Sequence, residues 1–215
     1  LDNLKEFNKH QNYKFIKGDI CNENLLAQTM IDFKPNIIVH FAAESHVDRS
    51  IDNPLKFLET NIIGTGVLLK VFSKYIKKFK FKEKSIFLHV STDEVYGSLG
   101  SSGLFSEDCK YDPSSPYSAS KASSDHLVRA WNRTYKFPSI ITNCSNNYGP
   151  LQFPEKLIPL IIANCYNEKS LPVYGDGKNI RDWLYVDDHC DAIYNVILNG
   201  KIGSTYNIGG NNEIK

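Results

Sequence analysis

Two short runs hold the side chains with the most chemistry. In Tyr117-Ser118-Ala119-Ser120-Lys121 a phenol and an ammonium stand four residues apart, a spacing that places both on one face of a helix. A lysine beside a tyrosine favours the phenolate, which makes Tyr117 a candidate base for an alcohol proton near neutral pH. Upstream, Ser91-Thr92-Asp93-Glu94-Val95-Tyr96-Gly97 sets hydroxyls and two successive carboxyls directly after an apolar strand. Adjacent carboxyls in different surroundings can be held one protonated and one ionised at the same pH. By themselves Asp93 and Glu94 would pass for a solvated loop pair. Their company argues for one proton-transfer group acting on an alcohol and two more acting in another step, more than a simple alcohol oxidation requires.

These groups need strands and helices to hold them. Residues 13–19 and 85–90 read as strands, and 36–41 is a continuous apolar run suited to a buried parallel strand. Helical patterns cover 23–33, 54–76 (with Pro54 in the first turn) and 115–135, and a further strand is expected at 139–143. This alternation implies an α/β fold, a doubly wound parallel sheet with helices on both faces. After Asn147-Tyr148-Gly149-Pro150 the texture changes. A helix over 153–167, strands at 171–177 and 181–186, a helix over 188–198 and a closing strand at 205–208 follow. A boundary near Gly149 is therefore expected, with a sheet domain at 1–149 and a smaller lobe at 150–215. In open α/β sheets ligands lie beyond the carboxyl ends of the strands. Ala42-Ala43-Glu44-Ser45, Ser91 to Glu94 and Cys144-Ser145-Asn146-Asn147 all fall there and define one crevice.

Bulk properties narrow the function classes. With 215 residues, 41% hydrophobic, and 25 basic against 24 acidic side chains, the chain suits a soluble globular protein and argues against nucleic acid as its main partner. The lysines between positions 70 and 84 read as a solvated helix end and loop. No apolar stretch approaches the roughly 20 residues needed to span a bilayer, so no membrane partner is expected. Cys21, Cys109, Cys144, Cys165 and Cys190 form no Cys-x-x-Cys pair and read as reduced thiols of a cytoplasmic protein. The histidines lack metal-ligand spacing, so no metal is expected. The chain starts at Leu1 rather than a methionine and stops after Lys215 without an obvious terminus. It is expected to be part of something longer.

Beyond the two opening motifs, Lys17-Gly18-Asp19-Ile20, His40-Phe41-Ala42-Ala43-Glu44-Ser45-His46-Val47-Asp48-Arg49-Ser50, Asn61-Ile62-Ile63-Gly64-Thr65, Ser145-Asn146-Asn147-Tyr148-Gly149-Pro150, Phe153-Pro154-Glu155-Lys156-Leu157-Ile158-Pro159, Arg181-Asp182-Trp183 and Tyr206-Asn207-Ile208-Gly209-Gly210 are present. Together they resemble the extended short-chain dehydrogenase/reductase superfamily and, within it, the nucleotide-sugar 4,6-dehydratases. The resemblance implies a Rossmann-like fold, NAD as cofactor, a nucleotide sugar (dTDP-glucose first) as substrate, and a homodimer. The family's glycine-rich phosphate-binding turn, the acidic residue after its second strand and its nucleotide-closing arginine and tyrosine are absent from these residues. In the family's sheet order 3-2-1-4-5-6 the first βαβ unit would be missing, between the strands at 13–19 and 36–41. The 215 residues alone are then expected not to form a stable NAD-binding unit, an expectation that a cooperative melt with tight NAD binding would overturn.

The resemblance also assigns roles. Tyr117, assisted by Lys121, takes the sugar C4 hydroxyl proton as the C4 hydride passes to NAD. Thr92 bonds the C4 oxygen, Glu94 removes the C5 hydrogen, and Asp93 protonates the departing C6 hydroxyl. Hydride then returns to C6 and a proton to C5. Cofactor contacts are implied for Asp19, Ile20, Ala42, Ala43, Glu44, Thr60, Tyr117, Lys121 and Asn147, although Ala42 and Ala43 would equally serve close helix–strand packing. Substrate contacts are implied for Ser45, Thr92, Asn146, Lys156, Leu157, Pro172, Tyr174, Arg181 and Asn207. Lys156 and Arg181 suit a pyrophosphate, and Tyr174 could face a base or fill the lobe's core. His46 and Arg49 could support the site from behind, while His89, inside an apolar strand, reads as a core histidine with its bonds satisfied. The helices over 54–76 and 115–135 resemble the superfamily's dimer pair, and their apolar faces also serve the core. A UDP-sugar 4,6-dehydratase, or a 4-epimerase or decarboxylase that keeps Tyr117 and Lys121 without needing Asp93 and Glu94, is the nearest alternative. A catalytically silent binding or scaffold protein is the distant one.

Overall fold

Short runs of branched apolar residues, alternating with helices that carry one apolar face, set the order of elements. The computed structural model describes residues 2–79, 84–100, 102–173 and 175–214. A 3₁₀ stretch (Asp2–Lys9) precedes α1 (Glu23–Phe33), β1 (Ile37–His40), α2 (Val47–Asp52) and α3 (Pro54–Phe57). A π-helical stretch (Leu58–Gly64) leads into α4 (Thr65–Phe79), then β2 (Ile86–Thr92) and a 3₁₀ turn (Asp93–Tyr96). Next come α5 (Pro116–Tyr135), β3 (Ser139–Cys144), β4 (Asn146–Tyr148), α6 (Leu157–Tyr166), β5 (Arg181–Tyr185), α7 (Val186–Asn199), β6 (Thr205–Ile208) and β7 (Glu213–Ile214).

Four parallel strands make the main sheet in the order β1-β2-β3-β6. Every residue of β2 is buried, as expected of a central strand covered on both faces. Its side chains alternate between two cores. Phe87 joins Met30, Leu68, Leu69, Phe72, Val128 and Ile141 on the face covered by α1, α4 and α5. Ile86, Leu88 and Val90 join Ile140, Leu184, Ile193 and Ile208 on the face covered by α7. The sheet is thus doubly wound and Rossmann-like. A second, smaller sheet pairs β4 with β5 in parallel and β5 with β7 antiparallel.

Several expectations are corrected. Residues 13–19 form no strand, because no neighbouring backbone among the described residues pairs with them, and a strand exists only as one side of a ladder. The free edge of β1 tells the same story: Ile37 is 37% exposed and Phe41, just beyond it, 57%. The described residues of 171–177 also lack a ladder and end in a turn. The helix expected over 54–76 is interrupted by the π-helical stretch, and the one expected from 153 starts at Leu157. Pro159 then falls in the first turn, where a missing N–H leaves no hydrogen bond unmade. The closing strand β6 lies beside β3 in the main sheet, and α7 covers that sheet, so the two halves interleave. Among the described residues no helix is long and apolar enough to cross a membrane.

Candidate active site

Tyr117 owes its place to the start of α5. Ser115 caps the helix: its Oγ accepts from the Ser118 N–H at 3.0 Å, while Ser118 Oγ accepts from the Ser115 N–H at 3.0 Å, a capping box closed by two serines. Pro116 occupies the first turn. The Tyr117 N–H, an orphan donor of that turn, is taken by Ser50 Oγ of α2 at 3.1 Å, and the Tyr117 ring meets the edge of Phe57. One turn on, Lys121 is buried and its Nζ donates to the Val90 carbonyl at 2.8 Å. The capping and the four-residue spacing put phenol and ammonium on one face, against the carboxyl end of β2.

The carboxyls arrive from that same end. Thr92 closes β2 and caps the 3₁₀ turn, its Oγ1 accepting from the Glu94 N–H at 3.3 Å and donating to Asp93 Oδ1 at 3.3 Å. Gly97 then reverses the chain at φ +88°, where a Cβ would come within 2.4 Å of the Asp112 carbonyl oxygen, a position only glycine accepts. Thr92 also acts on the Tyr117 phenol, favouring its ionised form, so one side chain bears on both opening motifs. Burial raises the Asp93 carboxyl above its usual range, opposed by Thr92 and by the charge of Arg181. Burial and then the Asp93 charge raise Glu94, with Arg181 and Lys156 pulling the other way. Burial, followed by the Glu94 charge, pushes the Tyr117 phenol well up. Burial thus works against the phenolate that the Tyr117–Lys121 spacing favours. Burial in turn lowers the Lys121 ammonium, opposed first by the charge of Asp125.

Of the other expected contacts, many converge. Lys156 Nζ donates to the Ser45 carbonyl at 3.0 Å. Asn61, in the π-helical stretch, clamps Glu44 through both backbone groups (2.9 and 3.0 Å) and reaches Ser120 Oγ at 2.8 Å. The loop after β1, with Ala42 and Ala43, is thereby fixed against α5. Thr60 is Asn61's neighbour, and Ile20 packs so tightly on Gly64 that a Cβ there would lie 2.6 Å away. Asp19 Oδ1 closes its turn by accepting from the Cys21 N–H at 2.7 Å. Asn146 pairs with Trp183 across the small sheet. The Asn147 amide donates to the Ser145 carbonyl at 3.0 Å, and its carbonyl oxygen faces His189 Nδ1 at 2.7 Å. The Asn207 side chain is engaged within the protein, Oδ1 accepting from Tyr96 at 2.7 Å and Nδ2 donating to the Phe105 carbonyl at 3.3 Å. Leu157 and Pro172 are placed only by their elements, at the start of α6 and in the irregular stretch after it. Tyr174 lies outside the described residues.

Donor chemistry suits a dinucleotide's ribose and amide groups. The buried Lys121 ammonium carries three protons and spends one on Val90. Among the described residues the buried Ser145 hydroxyl, just past β3, has no partner, and an orphaned buried polar group at a strand end is a binding group in waiting. No cluster of three or more His, Cys, Asp or Glu among the described residues could hold a metal ion. All five cysteines are free thiols, Cys144 being pushed up to about 12 by burial and the Asp93 charge.

The residues that sequence reading missed lie behind this front. Asp125, Tyr111, Asn143, Tyr96 and Arg129 form one largely buried polar network, and Ser50 and Asn61 hold Tyr117 and Glu44. Asp125 falls four residues after Lys121 on the same helical face, a signal the spacing did contain.

Comparison with known proteins follows the same lines. The family model described as GDP-mannose 4,6 dehydratase matches residues 1–215. A dTDP-glucose 4,6-dehydratase from Escherichia coli is 55% identical over 226 residues, covering 100% of this chain and 62% of that protein. The crystal structure of dTDP-glucose 4,6-dehydratase from Bacillus anthracis in complex with NAD superposes with a TM-score of 0.89 at 49% identity, covering 100% of this chain and 64% of the other. A dTDP-glucose 4,6-dehydratase from Streptomyces venezuelae, also with NAD bound, gives 0.93 at 45% identity, covering 99% and 63%. The chain therefore spans a little over three fifths of the length of these relatives.

Proposed function

The chain belongs to the GDP-mannose 4,6-dehydratase family, and from that premise we propose that it carries the catalytic centre of an NAD-dependent dTDP-glucose 4,6-dehydratase, a lyase that forms dTDP-4-keto-6-deoxyglucose and water. The observation that carries the proposal is Thr92. It ends β2, caps the turn that presents Asp93 and Glu94, and favours the ionised form of the Tyr117 phenol. An oxidation apparatus and an elimination apparatus thus share one hydroxyl.

When bound, NAD would accept the C4 hydride and give it back at C6. Asp19, Ile20, Ala42, Ala43, Glu44, Thr60, Lys121 and Asn147 are the residues proposed to hold it. Tyr117 takes the C4 hydroxyl proton. Because burial and Glu94 raise its phenol, its ionisation relies on the Lys121 ammonium and on the positive charge that the oxidised cofactor brings. Thr92 donates to the C4 oxygen. The C4 ketone acidifies the C5 hydrogen, which Glu94 removes as a proton and gives back to C5 once C6 is reduced, and Asp93 delivers its proton to the C6 hydroxyl as water leaves. The raised position of both carboxyls fits these tasks, since a proton must be held and released near neutral pH. The proposed sugar-nucleotide contacts are Ser45, Asn146, Lys156, Leu157, Pro172, Tyr174, Arg181 and Asn207. Of these, Lys156 and Arg181, whose charges act on Glu94, are the cations for the pyrophosphate.

The division into a cofactor-side domain at 1–149 and a nucleotide-sugar lobe at 150–215 is kept as a functional one, with β6 crossing back between them. The five free thiols support a reducing, cytoplasmic location. A homodimer through α4 and α5 is proposed for the full-length gene product. That product, incubated with NAD and either dTDP-glucose or UDP-glucose, is expected to form the 4-keto-6-deoxy sugar from the thymidine nucleotide. Absence of that product from both sugars would overturn the assignment.

A further inference from the structure

Lys121 is 4% exposed and its anchor, the Val90 carbonyl, is uncharged. A buried ammonium is costly unless a negative charge stands near it. Four residues on, on the same helical face, stands Asp125, which is wholly buried. Its oxygens are disposed as acceptors. Arg129 and the Asn143 amide can only donate, and both bond the Tyr111 hydroxyl, at 2.6 and 3.1 Å. The single Tyr111 proton therefore goes to Asp125 Oδ2, at 2.9 Å. Ser91 donates to the same oxygen at 2.9 Å, and His89 Nε2 lies 3.2 Å from Oδ1. Arg129 also stacks on the Tyr111 ring, 4.6 Å from its centroid.

Building on the dehydratase reading, we propose that Asp125 is a positioning residue for the Tyr117–Lys121 pair, a carboxylate one helical turn behind Lys121 whose charge keeps that ammonium protonated in the dry interior. It touches neither sugar nor cofactor. Asp125 acts through Lys121, and Lys121 acts on the phenol. The groups that face the pair from the packed elements do not supply this charge. Burial lowers both His40 of β1 and His89 of β2, disfavouring their charged forms. Cys144 of β3 is raised by burial, as are the Tyr96 and Tyr111 hydroxyls. Asp93 and Glu94 lie beyond Tyr117 and are raised as well. From α2, α3 and the π-helical stretch the inward groups are Ser50, Phe57 and Asn61, and Arg129 is itself cationic.

The test reads Lys121 directly. In the full-length gene product with lysine carbons labelled at Cε, Lys121 is followed by nuclear magnetic resonance through a pH titration, assigned by its loss in Lys121→Met. Asp125→Asn is expected to lower the Lys121 midpoint by about one to two pH units, the size of one unit charge a helical turn away at an effective dielectric of about 20. Asp125→Glu should restore most of it, and Tyr111→Phe, which removes a donor but keeps the carboxylate, should move it by less than half as much. An unchanged midpoint in Asp125→Asn, or an equal fall in Tyr111→Phe, would overturn the proposal. Neither result depends on turnover, so a failed dehydratase assay would sink the activity and leave this measurement standing. With turnover, the basic limb of kcat/KM should move to lower pH in Asp125→Asn alone. If that variant does not fold, the double variant Lys121→Met/Asp125→Asn should regain most of the lost stability, because it removes both charges. Simple addition of the two losses would refute the pairing.

Discussion

At the scale of single residues, the site works by putting unlike tasks on neighbours with unlike surroundings. Asp93 bonds Thr92, whereas the first influence on Glu94 after burial is the Asp93 charge. Glu94→Gln in the full-length gene product should keep C4 oxidation, read as reduced-nicotinamide absorbance, while deuterium exchange at C5 falls by roughly 10²–10⁴-fold, the usual worth of a general base. Exchange at the unmutated rate would remove Glu94 from its role. The same substitution has a stability signature. Burial raises Glu94 above its ordinary 4.5, so the native state binds this proton more tightly than the unfolded chain does. The native state is favoured while Glu94 is protonated and pays increasingly as pH rises through the raised value. Glu94→Gln should therefore stabilise the fold at pH 8 by about 0.5–2 kcal/mol, within the range seen when an active-site burden is relieved. The gain should vanish as pH falls towards 4.5, and denaturant melts at several pH values would check both ends.

At the scale of elements, the catalytic helix is held by residues with no chemistry of their own. Ser115 and Ser118 close its cap, Ser50 takes the Tyr117 N–H, and Asn61 ties the loop after β1 to Ser120. Asn61 is 1% exposed, so Asn61→Ala leaves the Glu44 N–H and carbonyl without their clamp. A loss of about 1–3 kcal/mol is expected from two backbone groups stripped of a buried partner, together with a raised KM for NAD. Calorimetry and NAD titration would show both, and an unchanged KM would mean that the loop after β1 does not need the clamp to receive the cofactor.

For the whole molecule, the two halves are joined by packing more than by charge. The Arg49–Glu155 ion pair links them, but Arg49 is 60% exposed, and exposed pairs contribute about 0–1 kcal/mol. Ile193 of α7 and Ile208 of β6 instead fill the same core as Ile86, Leu88 and Ile140. Ile193→Ala should cost about 2–5 kcal/mol and speed hydrogen exchange at β2 amides, whereas Arg49→Ala should shift stability by under about 1 kcal/mol. Unaltered exchange in β2 after Ile193→Ala would show that the halves unfold independently.

What the sequence determined by itself is short-range. The Tyr117–Lys121 face, the strand–helix alternation and the carboxyls at the end of β2 all follow from periods of two and 3.6 residues and from chemistry within a few positions. The fates of 13–19 and of β6 could not be read that way, because a strand's existence and place depend on which distant backbone pairs with it. The same holds for the network behind Lys121. Its bonds join Tyr111 to Asp125 across 14 residues, and Tyr96 to Asn207 across 111, partners that only the tertiary fold brings within reach. Tertiary structure also decided the electrostatics. Burial, which no motif displays, raises the phenol that the Tyr-x-x-x-Lys spacing seemed to free, and makes the ammonium beside it depend on a carboxylate one turn away.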